Sequence, residues 1–588
     1  MKTQVILSAL LIGIAVAVII PISAALADQP LSPDVPIRFA ILGDRTSGHI
    51  PGIYGKVTAE IELMKPDFVI TVGDMIEGYI DDSARIVNEW TEYDSIVSLL
   101  SMPLYLTPGN HDIWSEMSES MYRDRIGEPY YSIDIHGLHI IVLDNSMYEA
   151  SDEFDSTQLT WLEDDLASSS NSRYTFVFMH KPFWYHSTAK DKPDTLHSIF
   201  KSMGVDAVFT GHYHQYFVGE YDGITYTGIG SSGAETPPGP TGIQFQFAWV
   251  TVDNETFAIT PIDMGAVRSW EDVTVTEVQN VSLINYKAIT MKHPARFDES
   301  LHLADSTIEL SLLNLNDDFC VSDTIHWDAP ESWSIEPPVS PFELDPAGLA
   351  TAKFTVSHSG HLYPLPTYHT SYDYAKGKKC DVEGHLRVAR TAVCSRASAD
   401  LKVDGRLLEK SWCNPVSYLF KPNSDEQALT EPVEFFFSYD DNNLYLAARC
   451  KESFIDSVTA NAIEQDGPVY MDDCIGYFIQ PDISREVAYQ IYFNTEGVAF
   501  DQKLTVGEYG YPDGDRSWNL QYTEAHWAKD NNWVIEIAIP WSQWNVEPEP
   551  GTKMGLNFRR KQQRLGTAAD WQTPIEYTPD GFGLLIMR

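Results

Sequence analysis

The sequence predicts a multidomain chain: an α/β sandwich over residues 36–268, an immunoglobulin-like β-sandwich over 269–390, and a second, larger strand-rich unit over 391–588. Three observations predict it. In the first part short apolar runs alternate with helical stretches, the pattern of strands covered by helices. After about Arg268 the helical signals fade, and short alternating strands separated by Pro and Asn/Asp turns replace them. With 588 residues the chain also exceeds a single core, and domains of ordinary size divide it into about three or four.

Five apolar runs of the first part end in side chains that can ligate a metal. Phe39-Ala-Ile-Leu-Gly precedes Asp44, and Asp67-Phe-Val-Ile-Thr-Val-Gly precedes Asp74. Met102-Pro-Leu-Tyr leads into Leu106-Thr-Pro-Gly-Asn-His-Asp112, which sets Asn110, a neutral oxygen ligand, beside His111. Tyr174-Thr-Phe-Val-Phe-Met precedes His180, and Val205-Asp-Ala-Val-Phe-Thr-Gly precedes His212. Runs apolar throughout suit strands buried on both faces, and ligand sites in open α/β sheets gather beyond the strands' carboxyl ends. One edge of one sheet is therefore expected to collect all five groups. Helices are expected over Gly55 to Met64, Ser83 to Leu100 and Ser156 to Ala167, with a strand and loop over Ile224 to Gly233 and a closing strand pair over Trp249 to Pro261.

Asp44, Gly73-Asp74, Gly109-Asn110-His111-Asp112, His180 and Gly211-His212-Tyr213-His214, in that order, resemble the motifs of the calcineurin-like metallophosphoesterases. The resemblance implies a phosphoric ester hydrolase with two metal ions. Asp74 would bridge them; Asn110, His180 and His212 would complete one site, and Asp44 and His214 would serve the other. Carboxylate and imidazole ligands suit manganese, iron or zinc. The family's first-motif His is replaced by Thr46, which weakens the second site or leaves it to water, Thr46 or the nearby His49, which itself reads first as an exposed loop residue. His111 resembles the acid that protonates the leaving oxygen, with Asp112 orienting it. Arg45 is a candidate phosphate contact or an outward salt bridge, while His186 and His197 are substrate-side or merely solvated. Substrate choice is expected in the loops 75 to 90, 113 to 130 and 183 to 198.

In the middle unit Ser306-Thr-Ile-Glu-Leu-Ser-Leu-Leu and Leu349-Ala-Thr-Ala-Lys-Phe-Thr-Val read as strands. The segment from Ala329 through Trp333 looks like bacterial sandwich domains that space catalytic from sugar-binding units. In the last unit Val403-Asp-Gly405, Trp412, Tyr439-Asp440, Met471-Asp472-Asp473, Trp533 to Trp541 and Met554-Gly-Leu-Asn557 resemble family 9 carbohydrate-binding modules. A β-sandwich follows from that resemblance. Two rings clamp the sugar in such modules, and the matching positions are Tyr470 and Tyr577, with Gln490, Asn557 and Arg559 as polar partners. Trp412, Trp533 and Trp541 are expected in the core.

Acidic residues outnumber basic ones 84 to 40, a formal charge of -44, which disfavours a nucleic-acid-binding surface because phosphate backbones are held by Lys and Arg. Lys2, the apolar run Val5 to Ile20, Pro21 and Ala25-Leu-Ala27 form a signal-peptide pattern, 1–27, cleaved after about Ala27. Export to the cell surface, the periplasm or the medium is expected, with no membrane span in the mature chain. The six cysteines, Cys320, Cys380, Cys394, Cys413, Cys450 and Cys474, all follow the motif region, and for an exported chain both disulfides and free buried thiols stay open. A glycoside hydrolase would need a carboxylate pair in a sugar cleft, and Asp44 and Asp74 are better assigned to metals. The alternative is a surface glycan- or protein-binding protein whose phosphoesterase domain is degenerate.

Overall fold

The computed structural model describes residues 36–588 except 81, 237–244, 305–306, 400, 418, 421–430, 508–511 and 574–576. The expected signal peptide, 1–27, and the polar leader after it lie outside the described residues. The chain divides into two compact units, Met1–Gln279 and Asn280–Arg588.

The first unit holds β1 (Ile37–Leu42), β2 (Phe68–Thr71), β3 (Leu104–Tyr105), β4 (Tyr131–Ile135), β5 (Leu138–Val142), β6 (Tyr174–Phe178), β7 (Ala207–Thr210), β8 (Phe217–Tyr221), β9 (Ile224–Gly228), β10 (Gln246–Val252), β11 (Phe257–Asp263) and β12 (Ala266–Val267). They form two six-stranded sheets, ordered β12-β11-β10-β1-β2-β3 and β4-β5-β6-β7-β9-β8. The expectation of one sheet is corrected: β1, β2 and β3 run parallel in one, and β6 and β7 run parallel in the other.

Alternation explains why each run is apolar throughout. Phe39, Ile41, Phe68 and Ile70 meet Ile140, Val142, Phe176, Phe178 and Phe209 in one cluster between the sheets. The intervening Ala40, Leu42 and Val69 point the other way, against Tyr54, Val57 and Ile61 of α1 (Ile53–Met64) and Ile86 and Trp90 of α2 (Ser83–Val97). Val177 and Val208 likewise meet helices α4 (Ser156–Ser168) and α6 (Thr195–Met203). Nearly all residues of β1, β2, β6 and β7 are therefore buried on one face or the other.

Two stretches read as loops contain helices. α3 (Glu116–Arg125) starts at a Ser115–Ser118 capping box, and α6 starts where the Asp194 carboxylate accepts the His197 amide. The short α5 (Phe183–His186) precedes it. A further helix, α7 (Val275–Leu283), lies beyond Arg268, where helical signals were expected to end.

In the second unit two four-stranded sheets enclose Leu310, Leu312, Ile325, Trp327, Phe354 and Tyr372, the expected smaller sandwich. The strands Thr307–Leu313 and Leu349–His358 lie where the alternating pattern put them. A 12-stranded sheet follows, and Thr391–Arg396 joins its halves by pairing in parallel with Gly583–Met587 and Val433–Tyr439. One core shared by Phe435, Leu446 and Ile537 of one half and Ile475, Tyr477 and Phe558 of the other closes it into the larger sandwich. Trp412, Trp533 and Trp541 are buried, as expected. Of the two arrangements left open for the cysteines, the structure has the free thiols: all six are free, four of them buried. Among the described residues no helix is long and apolar enough to cross a membrane.

Candidate metal centre

The loops leaving β1, β2, β3, β6 and β7 converge, so the site straddles adjoining ends of both sheets. His180 Nε2 lies 3.2 Å from Asp74 Oδ2, 3.0 Å from Asn110 Oδ1 and 3.2 Å from His212 Nδ1. His214 Nε2 lies 3.4 Å from Asp44 Oδ2. The ligand atoms of Asp74, His180 and His212 fall within 4.8 Å of one another, as do those of Asp44, Asp74 and His214. Asp74 belongs to both groups.

Backbone carbonyls aim the rings. His180 Nδ1 bonds Val72 O at 2.8 Å and His214 Nδ1 bonds Glu235 O at 2.7 Å, so each Nε2 is the ring atom that faces the cluster. Asp74, His212 and His214 have φ of 58°, 75° and 53°. Such left-handed conformations cost a non-glycine residue about 1–3 kcal/mol and persist where the surroundings fix them. Two motif glycines are required by close approach: a Cβ at Gly109 would lie 2.2 Å from Asp74 Oδ1, and one at Gly211 would lie 2.5 Å from Asp44 Oδ1.

The residues fit a cation. Asp44 is fully buried and its Oδ1 has no hydrogen-bond partner, although an uncompensated buried carboxylate oxygen is costly. Burial works against a charged His180, but the Asp74 carboxylate outweighs it and raises the imidazole to about 9. Burial and the neighbouring His180 charge push His212 down to about 3, leaving it neutral as a ligand must be.

The structure assigns other roles to four neighbouring residues. Asp112 does not orient His111: its carboxylate accepts the amides of Asp74, Met75, Ile76 and Gly109 and so clamps the β2 loop to the β3 loop. The His111 ring is held instead through Nδ1 by Glu77 O at 2.6 Å. Arg45, a candidate phosphate contact, is buried and bonded to Met75 O at 2.8 Å and to Glu92 at 2.6 Å, the structural pair rather than the substrate contact. Thr46 Oγ1 lies 3.0 Å from Asp74 O and 2.6 Å from Ile76 O, and His49 is paired with Glu77 at 2.6 Å, so neither stands in for the missing imidazole. His186 meets the Tyr213 hydroxyl, and His197 sits between Tyr226 and Asp222.

Two residues escaped the sequence reading. Asn145, just past β5, accepts the amides of His180 and Lys181 on Oδ1, each at 3.0 Å. The apolar run of β5 ending in Asp144-Asn145 carries the same signal as the other five. Tyr79 accepts a hydrogen bond from Asn110 Nδ2 at 3.1 Å, which turns Asn110 Oδ1 towards the cluster. Nothing in its loop sequence pointed to that.

In the second unit Tyr577, Phe478, Tyr492, Phe500 and Tyr470 form one row of rings, with Tyr577 5.5 Å from Phe478 and Tyr470 5.1 Å from Phe500. Tyr577 is exposed and Tyr470 half-buried. Arg559 pairs with Asp570 at 3.0 Å, and Gln490 accepts from Gln502. Asn557 is not available to a sugar: it is buried, donates to Gln572 O and accepts the Phe558 and Gln572 amides.

A two-sheet α/β sandwich with Asp, Asn and His gathered at adjoining strand ends defines the metallophosphoesterase class of domain. Residues 37–216 match the family model described as calcineurin-like phosphoesterase, and residues 403–582 match the one described as carbohydrate family 9 binding domain-like. The chain thus carries both domains. Human serine/threonine-protein phosphatase CPPED1 is 26% identical over 201 residues, covering 31% of this chain and 63% of that protein. Purple acid phosphatase 18 of Arabidopsis thaliana is 27% identical over 205 residues, covering 31% and 44%. The chain thus spans less than two thirds of the length of these relatives. A solved family 9 carbohydrate-binding module from Caldicellulosiruptor kristjanssonii in complex with cellotriose is 17% identical, covers 34% of this chain and 93% of its own, and has a TM-score of 0.24.

Proposed function

We propose that the first unit hydrolyses a phosphomonoester or phosphodiester with two bound metal ions, manganese, iron or zinc, and that the second unit attaches the enzyme to glycans. The observation that carries the reading is the pair of three-ligand groups sharing Asp74, with the buried, unpartnered Asp44 Oδ1 beside them. Asp74, Asn110, His180 and His212 would hold one ion, and Asp44, Asp74 and His214 the other. Two such ions supply Lewis-acid charge to the phosphoryl group and a water of lowered pKa.

The chain's own residues do the rest. The ester P–O bond is exchanged for a bond to a water oxygen: the leaving oxygen keeps the electron pair and takes a proton from His111 Nε2, while the attacking water gives up one proton to solvent, from which His111 is reprotonated. Glu77 O holds His111 Nδ1 throughout, so the ring delivers its proton from one fixed position. Asp112 and the backbone bonds around it keep Asp74 where both groups of ligands meet it. The signal-peptide pattern of residues 1–27 supports a separate reading, that the chain is exported and cleaved after about Ala27.

Assay of the purified chain with added manganese against monoester and diester substrates, beside Asp74→Asn, tests the activity. Turnover lost in the variant supports it, and no turnover by the wild type on any phosphoester contradicts it. N-terminal sequencing of the mature chain tests export, with Asp28 the expected first residue.

A further inference from the structure

Tyr79 lies in the loop between β2 and α2 and is 57% exposed, unusual for a large aromatic ring beside a buried cluster. Its backbone adopts φ 51°, and Gly78 before it φ 58°. The segment is strapped down on several sides. The Gly78 amide donates to Glu89 on α2 at 3.0 Å, and a Cβ at Gly78 would come within 1.9 Å of His111 O. The Glu77 carboxylate holds His49, and the Glu77 carbonyl holds His111. An exposed tyrosine kept in a costly conformation by this many contacts points to a use for its position.

The ring meets the His111 imidazole edge to face, centroids 4.9 Å apart at 90°, and lies 5.7 Å from the half-buried Trp114 at 34°. The hydroxyl, bonded to Asn110, fixes the ring's outer end. The two rings therefore border the imidazole that would protonate the leaving oxygen, where the leaving group's face can meet them. We propose that Tyr79 and Trp114 form a stacking platform for the leaving group, and that the substrate is the phosphoester of an alcohol with a flat apolar face, an aryl or a sugar ring, rather than of a small alkyl alcohol. The inference rests on the phosphoesterase reading. A ring fixed at both ends loses little freedom when a second ring stacks on it, so most of the contact appears as affinity.

The test compares kcat/KM of the manganese-loaded full chain for phenyl phosphate, glucose 1-phosphate and ethyl phosphate in wild type, Tyr79→Phe and Tyr79→Ala. Because each substrate is compared with itself, differences in leaving-group reactivity cancel. Tyr79→Ala is expected to cost a cyclic substrate about 3- to 10-fold more than ethyl phosphate, chiefly in KM. A selective loss for phenyl phosphate assigns an aryl group, and one for glucose 1-phosphate a sugar. Tyr79→Phe, which keeps the ring and removes the bond to Asn110, is expected to lower all three alike. An equal fall on all three in Tyr79→Ala would overturn the platform and leave Tyr79 as a positioner of Asn110. A wild-type protein inactive on all three but active on a diester would overturn the platform alone, and one inactive on every phosphoester would overturn the phosphoesterase reading and the platform with it.

Discussion

Thr46 stands where an imidazole ligand was expected, and the structure makes it a fastener of the β2 loop. Its single hydroxyl proton is directed at Ile76 O, 2.6 Å away, with Asp74 O at 3.0 Å. Thr46→Val keeps the shape and removes the donor. Asp74 O keeps the Arg45 and Thr46 amides, at 3.1 and 3.2 Å, whereas the Ile76 carbonyl of a fully buried residue loses its bond from the hydroxyl. Leaving one buried acceptor unsatisfied costs about 1–3 kcal/mol. Asp74 itself stays anchored by Asp112 and His111, so both metals are expected to remain. Thermal unfolding of the first unit together with metal content measures both effects. A variant that loses one ion with an unchanged midpoint would refute this reasoning, because the hydroxyl would then be a ligand.

The metal-free protein should respond to pH in the opposite sense from the loaded one. His180, raised to about 9 by Asp74 against the effect of burial, stabilises the metal-free fold fully below its unfolded value of about 6.5, and that contribution is lost as pH rises through about 9. Metal binding must expel the same proton, so affinity should strengthen over that range, with proton release seen by calorimetry in two buffers; pH-independent affinity would count against the His180–Asp74 pairing. His111→Ala should keep the metals and slow hydrolysis about 10²- to 10⁴-fold, more for alkyl than for nitrophenyl phosphate. A uniform loss would make His111 a positioning residue. In the second unit Tyr577→Ala should abolish weak oligosaccharide binding with little change in the midpoint, because the ring is exposed, whereas Tyr470→Ala should also cost stability through its contact with Phe500. A glycan array that returns no binder for the wild type would make this unit a spacer.

The strand ends were legible because a strand buried on both faces is apolar throughout and then stops at a polar residue. Asp44, Asp74, Asn110, His180 and His212 announce themselves in that way, His214 came only with the family resemblance, and the structure brings all six together. That β1 to β3 and β6 to β7 belong to different sheets was not legible, since strand pairing is a contact between distant segments. Arg45 and Asp112 show the same limit at the scale of one side chain. Each adjoins a ligand or the acid in sequence, yet the partners that decide their roles, Glu92 for the one and the amides of residues 74–76 and 109 for the other, lie elsewhere in the chain. Tyr79 was invisible because its role depends on a turn at positive φ that its neighbours impose.

Elemental analysis of the full chain after manganese loading, beside Asp74→Asn, bears most directly on whether this fold holds a two-metal phosphoesterase centre. Two ions per chain in the wild type and fewer than one in Asp74→Asn is the expected result, since Asp74 is common to both groups of ligands. A wild-type protein that retains no ion, or an Asp74→Asn variant that retains two, would contradict it.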